Sequence, residues 1–165
     1  MAQTALESPI DALKRGWNED AFMRAQGLHV EERAVGEVTL CLPRASPAQR
    51  GGGGGGDAAS VLNGGVIAYM FDGALGCAIA SSLLARPEMR GIDPQRLRQS
   101  TINLDISYVD AASGDHCEAR GKVVRASRNI AFAEGELLDA RGHTCATAKG
   151  IWRIFWPRDA APGQP

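Results

Sequence analysis

The chain has 165 residues, of which 44% are hydrophobic and 22% charged, with a formal net charge of −1. This length suits one domain with a sizeable core and is short for two. Because 18 basic residues are balanced by 19 acidic ones and form no basic run, the composition excludes the electrostatic footprint of a nucleic-acid-binding protein.

The N-terminal part predicts a helix followed by a β-hairpin. Apolar residues recur at helical spacing over residues 9–23, which we interpret as a helix lying on the domain, within an N-terminal extension of residues 1–24. Residues 28–34 and 37–42 have the composition of strands on either side of a Val-Gly turn. Charged side chains within the first 20 residues interrupt the apolar stretch that a signal peptide needs, so we expect a cytoplasmic protein.

Six consecutive glycines at positions 51–56 predict a loop without regular structure, because glycine loses the most conformational freedom on ordering. A phosphate-binding interpretation fails, since the Lys followed by Ser or Thr of a P-loop is absent.

Residues 66–84 form an apolar run long enough to raise the question of a membrane span. The run contains Asp72, and a carboxylate near the centre of a span is costly. We therefore predict no membrane segment but a long helix over residues 60–84, buried in protein on all sides.

Four strands are predicted after the helix, at residues 101–109, 116–124, 130–138 and 144–154. In the first, Ile102, Leu104, Ile106 and Tyr108 alternate with polar residues, which predicts one buried and one polar face. Short polar turns imply antiparallel neighbours. The chain is thus predicted to be α+β, with a curved antiparallel sheet wrapped around one long helix, and pairing with a second copy is expected to cover its open edge.

Two segments carry a resemblance to a known family. The segment Leu-Asn-Gly-Gly-Val-Ile at 62–67, with Asp72 nine residues after Asn63, resembles the central-helix motif of hotdog-fold acyl-CoA thioesterases of the phenylacetic-acid-degradation type. Asn63 replaces the usual His of that motif. Residues 100–108 look like the family's next strand, and the resemblance extends over residues 38–155. It implies a hotdog domain over residues 25–157, with 158–165 as a C-terminal tail.

The resemblance implies hydrolysis of an acyl-CoA by a homodimer, or a tetramer, without metal or organic cofactor. Asp72 would act as general base on water or as nucleophile, and the Gly64 N–H would stabilise the oxyanion at the helix N-terminus. The other catalytic candidates are Thr101 and Asn63. The substrate-binding candidates are Gly65, Asp57, Arg125, Arg128 and Asn129, with Arg128 favoured for the coenzyme A phosphates.

Each candidate also has a purely structural interpretation. Asp72 can pair with a Lys or Arg, Thr101 can be a strand hydroxyl, and the arginines can be solvated turn charges. The four cysteines are widely spaced and the three histidines scattered, which predicts buried thiols and neither a zinc site nor a serine triad. A non-catalytic acyl-CoA-binding protein remains a second hypothesis. A hydratase or dehydratase is a third, disfavoured because no His is near Asp72 in sequence.

Overall fold

The computed structural model describes residues 9–51 and 61–158, which form one antiparallel sheet wrapped around a long helix. Six strands lie in the order β1-β2-β4-β5-β6-β3. Their bounds are β1 His29–Ala34, β2 Glu37–Leu42, β3 Arg98–Tyr108, β4 Cys117–Ala126, β5 Ile130–Leu138 and β6 Thr144–Phe155. The helices are α1 Pro9–Glu19, α2 Ala21–Ala25 and α3 Gly64–Leu84. The predicted α+β architecture is confirmed, and five of the six strands begin within a residue of their predicted position.

Helix α3 is the core of the domain, because Asp72 is its only charged residue and the sheet covers it along most of its length. It is the one helix among the described residues long and apolar enough to cross a membrane, and 67% of its most apolar window is buried inside the domain. This burial identifies α3 as a core helix. It begins at Gly64 rather than at residue 60, since Asn63 caps it: the side chain of Asn63 accepts a hydrogen bond from Gly65 N.

The N-terminal helix is shorter than predicted. The prediction of one helix over residues 9–23 is wrong, because α1 ends at Glu19 and a separate short helix follows. Asp20 Oδ1 accepts hydrogen bonds from the backbone N–H groups of Phe22 and Met23, each at 3.0 Å. An aspartate that caps a new helix in this way competes with continuation of the preceding one.

Strand β3 departs from the alternation predicted for it. Its register with β6 shifts between Thr101 and Asn103, the mark of a β-bulge. The bulge turns Ile102 outward, where it is 57% exposed, so its predicted place on the buried face is wrong. The same shift leaves Thr101 facing α3, on the same side as Leu104. The bulge therefore moves a hydroxyl from the predicted polar face to the helix.

Two glycines allow α3 to lie close to the sheet. Gly121 of β4 and Gly135 of β5 are directly opposite each other. A Cβ atom on Gly121 would lie 2.7 Å from Ala74 O, and one on Gly135 would lie 3.0 Å from Leu75 Cδ2. A side chain on Gly121 would therefore collide with the helix backbone, whereas one on Gly135 would collide with Arg120 O of β4, 2.3 Å away, and press on the Leu75 side chain.

Replacing Gly121 with Ala is therefore expected to lower the free energy of unfolding by about 2–3 kcal/mol, measured by urea denaturation. Gly16→Ala is the matched control, because nothing lies within 4 Å of that position on α1. It should raise the stability by up to about 1 kcal/mol, since alanine favours the helix. Equal stability of Gly121→Ala and the wild type would contradict the close approach of α3.

Candidate active site

Asp72 and Thr101 form a hydrogen-bonded pair at the partly open side of α3. The Thr101 hydroxyl donates to Asp72 Oδ1 at 2.7 Å. Asp72 is about two and a half turns into α3 and faces β3, the edge strand of the sheet. In the part of the chain described here, no Lys or Arg forms an ion pair with it. The carboxylate is thus held by a neutral hydroxyl, and its other oxygen is left for a reactant.

The start of α3 presents one backbone donor. Asn63 Oδ1 accepts from Gly65 N at 2.8 Å, and Asn63 Nδ2 donates to Gly51 O at 3.0 Å. The amide of Asn63 thereby caps the helix and anchors the beginning of the glycine-rich loop. For the Gly64 N–H there is no acceptor among the described residues, while the Tyr108 hydroxyl donates to Gly64 O at 3.0 Å. Gly64 therefore combines a fixed position with a free N–H at the positive end of the helix dipole.

The two parts of the site are separated within one chain. Gly64 and Asp72 are eight residues apart on α3, which corresponds to about 12 Å along the helix axis. A thioester carbonyl has to contact the oxyanion donor at about 3 Å and its attacking group at a similar distance. Within one chain, the Gly64 N–H and the Asp72 carboxylate are therefore too far apart to act on the same carbonyl.

The predicted coenzyme A residues lie at the far end of α3. Arg128 O accepts a hydrogen bond from the Trp156 indole, and Asn129 O accepts from Ile154 N at 2.9 Å. Arg86, just after α3 ends, donates to Ala126 O in the same hairpin. The side chains of Arg125 and Arg128 are exposed. Within one chain this turn is about 30 Å from Gly64 along the helix. Asp57 lies outside the described residues.

The cysteines do not supply a nucleophile. All four are free and buried, as predicted. Burial raises the pKa of Cys41 and of Cys117 to about 11. Burial, with a smaller effect of the Asp72 charge, also raises the pKa of Cys77, the cysteine nearest to Asp72 in sequence. These thiols stay protonated near neutral pH, and a protonated thiol is a poor nucleophile.

Two of the three histidines contact glutamates away from Asp72. His29 lies 3.3 Å from Glu31 and His116 lies 3.0 Å from Glu118, and no histidine hydrogen-bonds to Asp72. His29, Glu31 and Cys41 come within 4.8 Å of one another across the β1–β2 pair, a proximity that sequence spacing did not indicate. Glu31 is already paired with His29 and with Arg33, so ion pairing accounts for this cluster.

A broad groove with charged residues in its lining lies on the face of the sheet away from α3. Its volume is about 840 Å³. A row of alternating charges crosses it in register from strand to strand, formed by Glu37, Lys122, Glu134 and Lys149, and Asp105 continues the row beyond the groove. The first pair of the row is an ion pair of 3.2 Å. Burying these charged side chains under a hydrocarbon chain would cost free energy.

One polar residue beside the site could not be predicted from the sequence. Gln99 lies two residues before Thr101 on β3, and its Nε2 donates to Gly76 O, one turn beyond Asp72, at 2.7 Å. A glutamine near the start of a strand is unremarkable by composition, and only the packing of β3 along α3 brings it next to the candidate catalytic pair.

Comparisons with known proteins show the family of the chain. The family model of the thioesterase superfamily matches residues 59–146. The chain is 37% identical over 136 residues to the medium/long-chain acyl-CoA thioesterase YigI of Escherichia coli K12, covering 81% of this chain and 84% of that protein. It is 34% identical over 121 residues to YigI of Salmonella typhimurium, covering 70% and 74%.

Solved structures give the same fold. A Shewanella oneidensis protein related to the thioesterase superfamily matches with a TM-score of 0.74 at 20% identity, covering 88% of this chain and 95% of that one. The E. coli PaaI protein from the phenylacetic acid degradation operon matches with a TM-score of 0.70 at 15% identity, covering 90% and 96%. With the family model and the YigI relatives, these matches establish that the chain belongs to the thioesterase superfamily and has its hotdog fold.

Proposed function

We propose that this protein hydrolyses acyl-CoA thioesters to a free acid and coenzyme A, with Asp72 as the group that starts the attack. The observation that carries the proposal is the Asp72–Thr101 pair, a carboxylate with no cationic partner among the described residues, beside the open edge of the sheet. The relatives named as medium/long-chain acyl-CoA thioesterases support the same substrate class.

The reaction needs a group that attacks the thioester carbonyl and a donor that stabilises the oxyanion. Asp72 either takes a proton from the attacking water or attacks the carbonyl itself to form an anhydride that water then hydrolyses. Thr101 orients the carboxylate through its hydrogen bond. The Gly64 N–H stabilises the charge that grows on the carbonyl oxygen, and the coenzyme A thiolate leaves. Neither a metal nor an organic cofactor is required by this scheme.

The complete site is proposed to be shared between two copies of the chain. Strand β3 runs antiparallel to α3, with Tyr108 beside Gly64, Thr101 beside Asp72 and Gln99 beside Gly76. It is also an edge strand, so the backbone groups on its outer side have no neighbouring strand among the described residues. Ile102 and Tyr108 along it are 57% and 54% exposed, and Val109 just after it is 62% exposed.

A two-fold axis through paired β3 strands would join the two parts of the site. If the two β3 strands pair antiparallel about a centre between Leu104 and Asp105, Thr101 of one copy lies opposite Tyr108 of the other. Asp72 of one copy then faces Gly64 of its partner, which removes the separation of about 12 Å within one chain. The same symmetry carries the hairpin with Arg125 and Arg128 toward the partner's Gly64, where coenzyme A phosphates would need cationic groups.

Mixing two inactive variants tests this arrangement. Asp72→Asn removes the carboxylate, and Gly64→Pro removes the oxyanion N–H. In a shared site, a heterodimer of the two variants has one doubly defective site and one intact site. Co-expression is therefore expected to restore about a quarter of the wild-type activity per chain, since about half of randomly formed dimers are mixed.

The outcomes separate the possibilities. Activity in the mixed sample but in neither variant alone supports a shared site. No recovery in a mixed dimer isolated with two different affinity tags would contradict it and place the whole site within one chain. Binding of octanoyl-CoA by the wild type without release of free thiol would contradict the hydrolase itself and favour the non-catalytic acyl-CoA-binding protein.

A further inference from the structure

We propose that the exposed ring of Phe22, held against Tyr69, is the surface on which the acyl chain of the substrate packs, and that it makes the enzyme favour medium-chain acyl groups over acetyl. This inference rests on the proposed function, because it takes the thioester carbonyl to lie at Asp72. It goes beyond that function by naming the side chain that selects the acyl group.

The accessible part of α3 is its first half. Seven of the ten residues between 64 and 73 are at least partly exposed, whereas every residue between 74 and 84 except Ser82 is buried. Asp72 lies where the accessible half ends. Because the helix is covered beyond this point, an acyl chain whose carbonyl is at Asp72 contacts α3 over its first half.

The accessible half of α3 lies between elements from opposite edges of the sheet. On one side is the edge strand β3, whose Thr101 hydroxyl bonds to Asp72. On the other side is α2, which precedes β1 at the opposite edge, and the Tyr69 hydroxyl donates to Met23 Sδ of α2 at 3.1 Å. Since paired β3 strands of the proposed dimer occupy the first side, the acyl chain extends from Asp72 toward α2.

The surface on the α2 side is aromatic. The rings of Phe22 and Tyr69 have centroids 4.8 Å apart and are tilted by 57°. Tyr69 precedes Asp72 by three residues, which puts both on one face of the helix. Burial raises the pKa of the Tyr69 hydroxyl, and the nearby charges of Asp20 and Asp72 raise it further. Phe22 is still 54% exposed, so the fold leaves a large apolar surface uncovered beside the candidate catalytic group.

An octanoyl chain is long enough to reach this surface, and an acetyl group is not. The extended octanoyl chain spans about 9 Å, at roughly 1.3 Å per carbon–carbon bond, which is close to the ~10 Å diameter of a helix with its side chains. It can therefore cross α3 from the β3 side to Phe22, whereas the acetyl methyl ends beside Asp72. Contact with the exposed ring removes apolar area from water, which favours binding of the longer chain.

The test compares kcat/KM for octanoyl-CoA and acetyl-CoA in the wild type and in variants of Phe22. The wild type is expected to prefer octanoyl-CoA by at least about tenfold. Phe22→Ala removes the ring and should lower kcat/KM for octanoyl-CoA by about five- to tenfold, while the value for acetyl-CoA stays within about twofold. Phe22→Leu keeps an apolar side chain and should retain most of the preference.

A matched control and a binding measurement separate substrate contact from a structural role. Phe132→Ala removes another exposed phenylalanine, on the same face of β5 as Glu134 and therefore away from α3, and should leave both kcat/KM values unchanged. S-octyl-CoA is a thioether that the enzyme cannot hydrolyse. Its Kd, measured by isothermal titration calorimetry, should rise about five- to tenfold in Phe22→Ala, whereas the Kd of coenzyme A should not change.

Each outcome decides the inference. Equal kcat/KM for octanoyl-CoA and acetyl-CoA in the wild type would overturn it while leaving the proposed hydrolase intact. A preference that persists undiminished in Phe22→Ala would overturn the role of Phe22, and an equal loss for both substrates would show that the ring supports the fold of the site only. No thiol release from either substrate by the wild type would instead refute the proposed function, and the Kd values of S-octyl-CoA would still test Phe22.

Discussion

Replacing Asp72 with Asn is expected to lower kcat/KM for octanoyl-CoA by about 10³-fold or more, measured as release of free thiol. Asparagine has the same shape and can still accept the hydrogen bond of Thr101, so the packing around α3 should persist. It can neither take a proton from water nor form an anhydride. The loss should therefore appear mainly in kcat, while the affinity for the acyl-CoA changes little.

Asp93→Asn is the matched control for this substitution. Asp93 is an exposed aspartate that accepts a backbone hydrogen bond from Gln95 N at 3.0 Å, a bond that asparagine also makes. This variant should keep wild-type kcat/KM. If Asp72→Asn, with an unchanged elution volume on gel filtration, retains more than about a tenth of the wild-type rate, Asp72 is a structural residue and not the attacking group.

The architecture was predictable because apolar periodicity and turn residues determine it locally. The strands at residues 130–138 and 144–155 follow from alternation between short polar turns, and α3 follows from an apolar run with one charge. Three errors arose where a single side chain or a shift of register decides the backbone. Asn63 caps α3, which begins later than predicted. Asp20 caps a second helix instead of continuing the first, and the bulge after Thr101 reverses the facing of Ile102.

The candidate site could be predicted only in part. The family resemblance pointed to Asp72, Gly64 and Thr101, and the hydrogen bond between Asp72 and Thr101 agrees with it. The predictions for Arg125 and Arg128 concern groups that one chain holds far from Gly64. No sequence pattern reports such a distance, because it depends on how β3 lies along α3 and on how two copies pair. Gln99 was missed for the same reason, since its hydrogen bond to Gly76 exists only once the strand is packed.

Asn63 departs from the family motif, and its side chain has a structural role at the start of α3. Its amide caps α3 through Gly65 N and holds Gly51 O, so both ends of the side chain are engaged in fixing the helix start. The position therefore contributes to the site by orienting the first free N–H of the helix. A proton shuttle at this position is not needed for a leaving group such as coenzyme A thiolate, and an amide could not provide one.

Replacing Gly64 with Pro is expected to lower kcat by about 10²- to 10³-fold, because proline removes the backbone N–H proposed to bind the oxyanion. The substitution suits this position. Gly64 is the first residue of α3, where proline is favoured, and Asn63 before it has φ −64° and ψ 137°, the extended conformation that a following proline requires. The nearest atoms to a Cβ on Gly64 belong to Tyr108, at an ordinary distance of 3.5 Å or more.

Gly64→Ala separates the loss of the donor from the addition of carbon atoms. Alanine keeps the N–H and adds the same Cβ beside Tyr108, so this variant should retain kcat within about threefold of the wild type if the donor is what matters. Circular dichroism and gel filtration of the two variants should match. Equal loss in Gly64→Ala and Gly64→Pro would show that the space at the helix start limits the reaction. Full activity in Gly64→Pro would remove this N–H from the mechanism and require the oxyanion donor to come from another group.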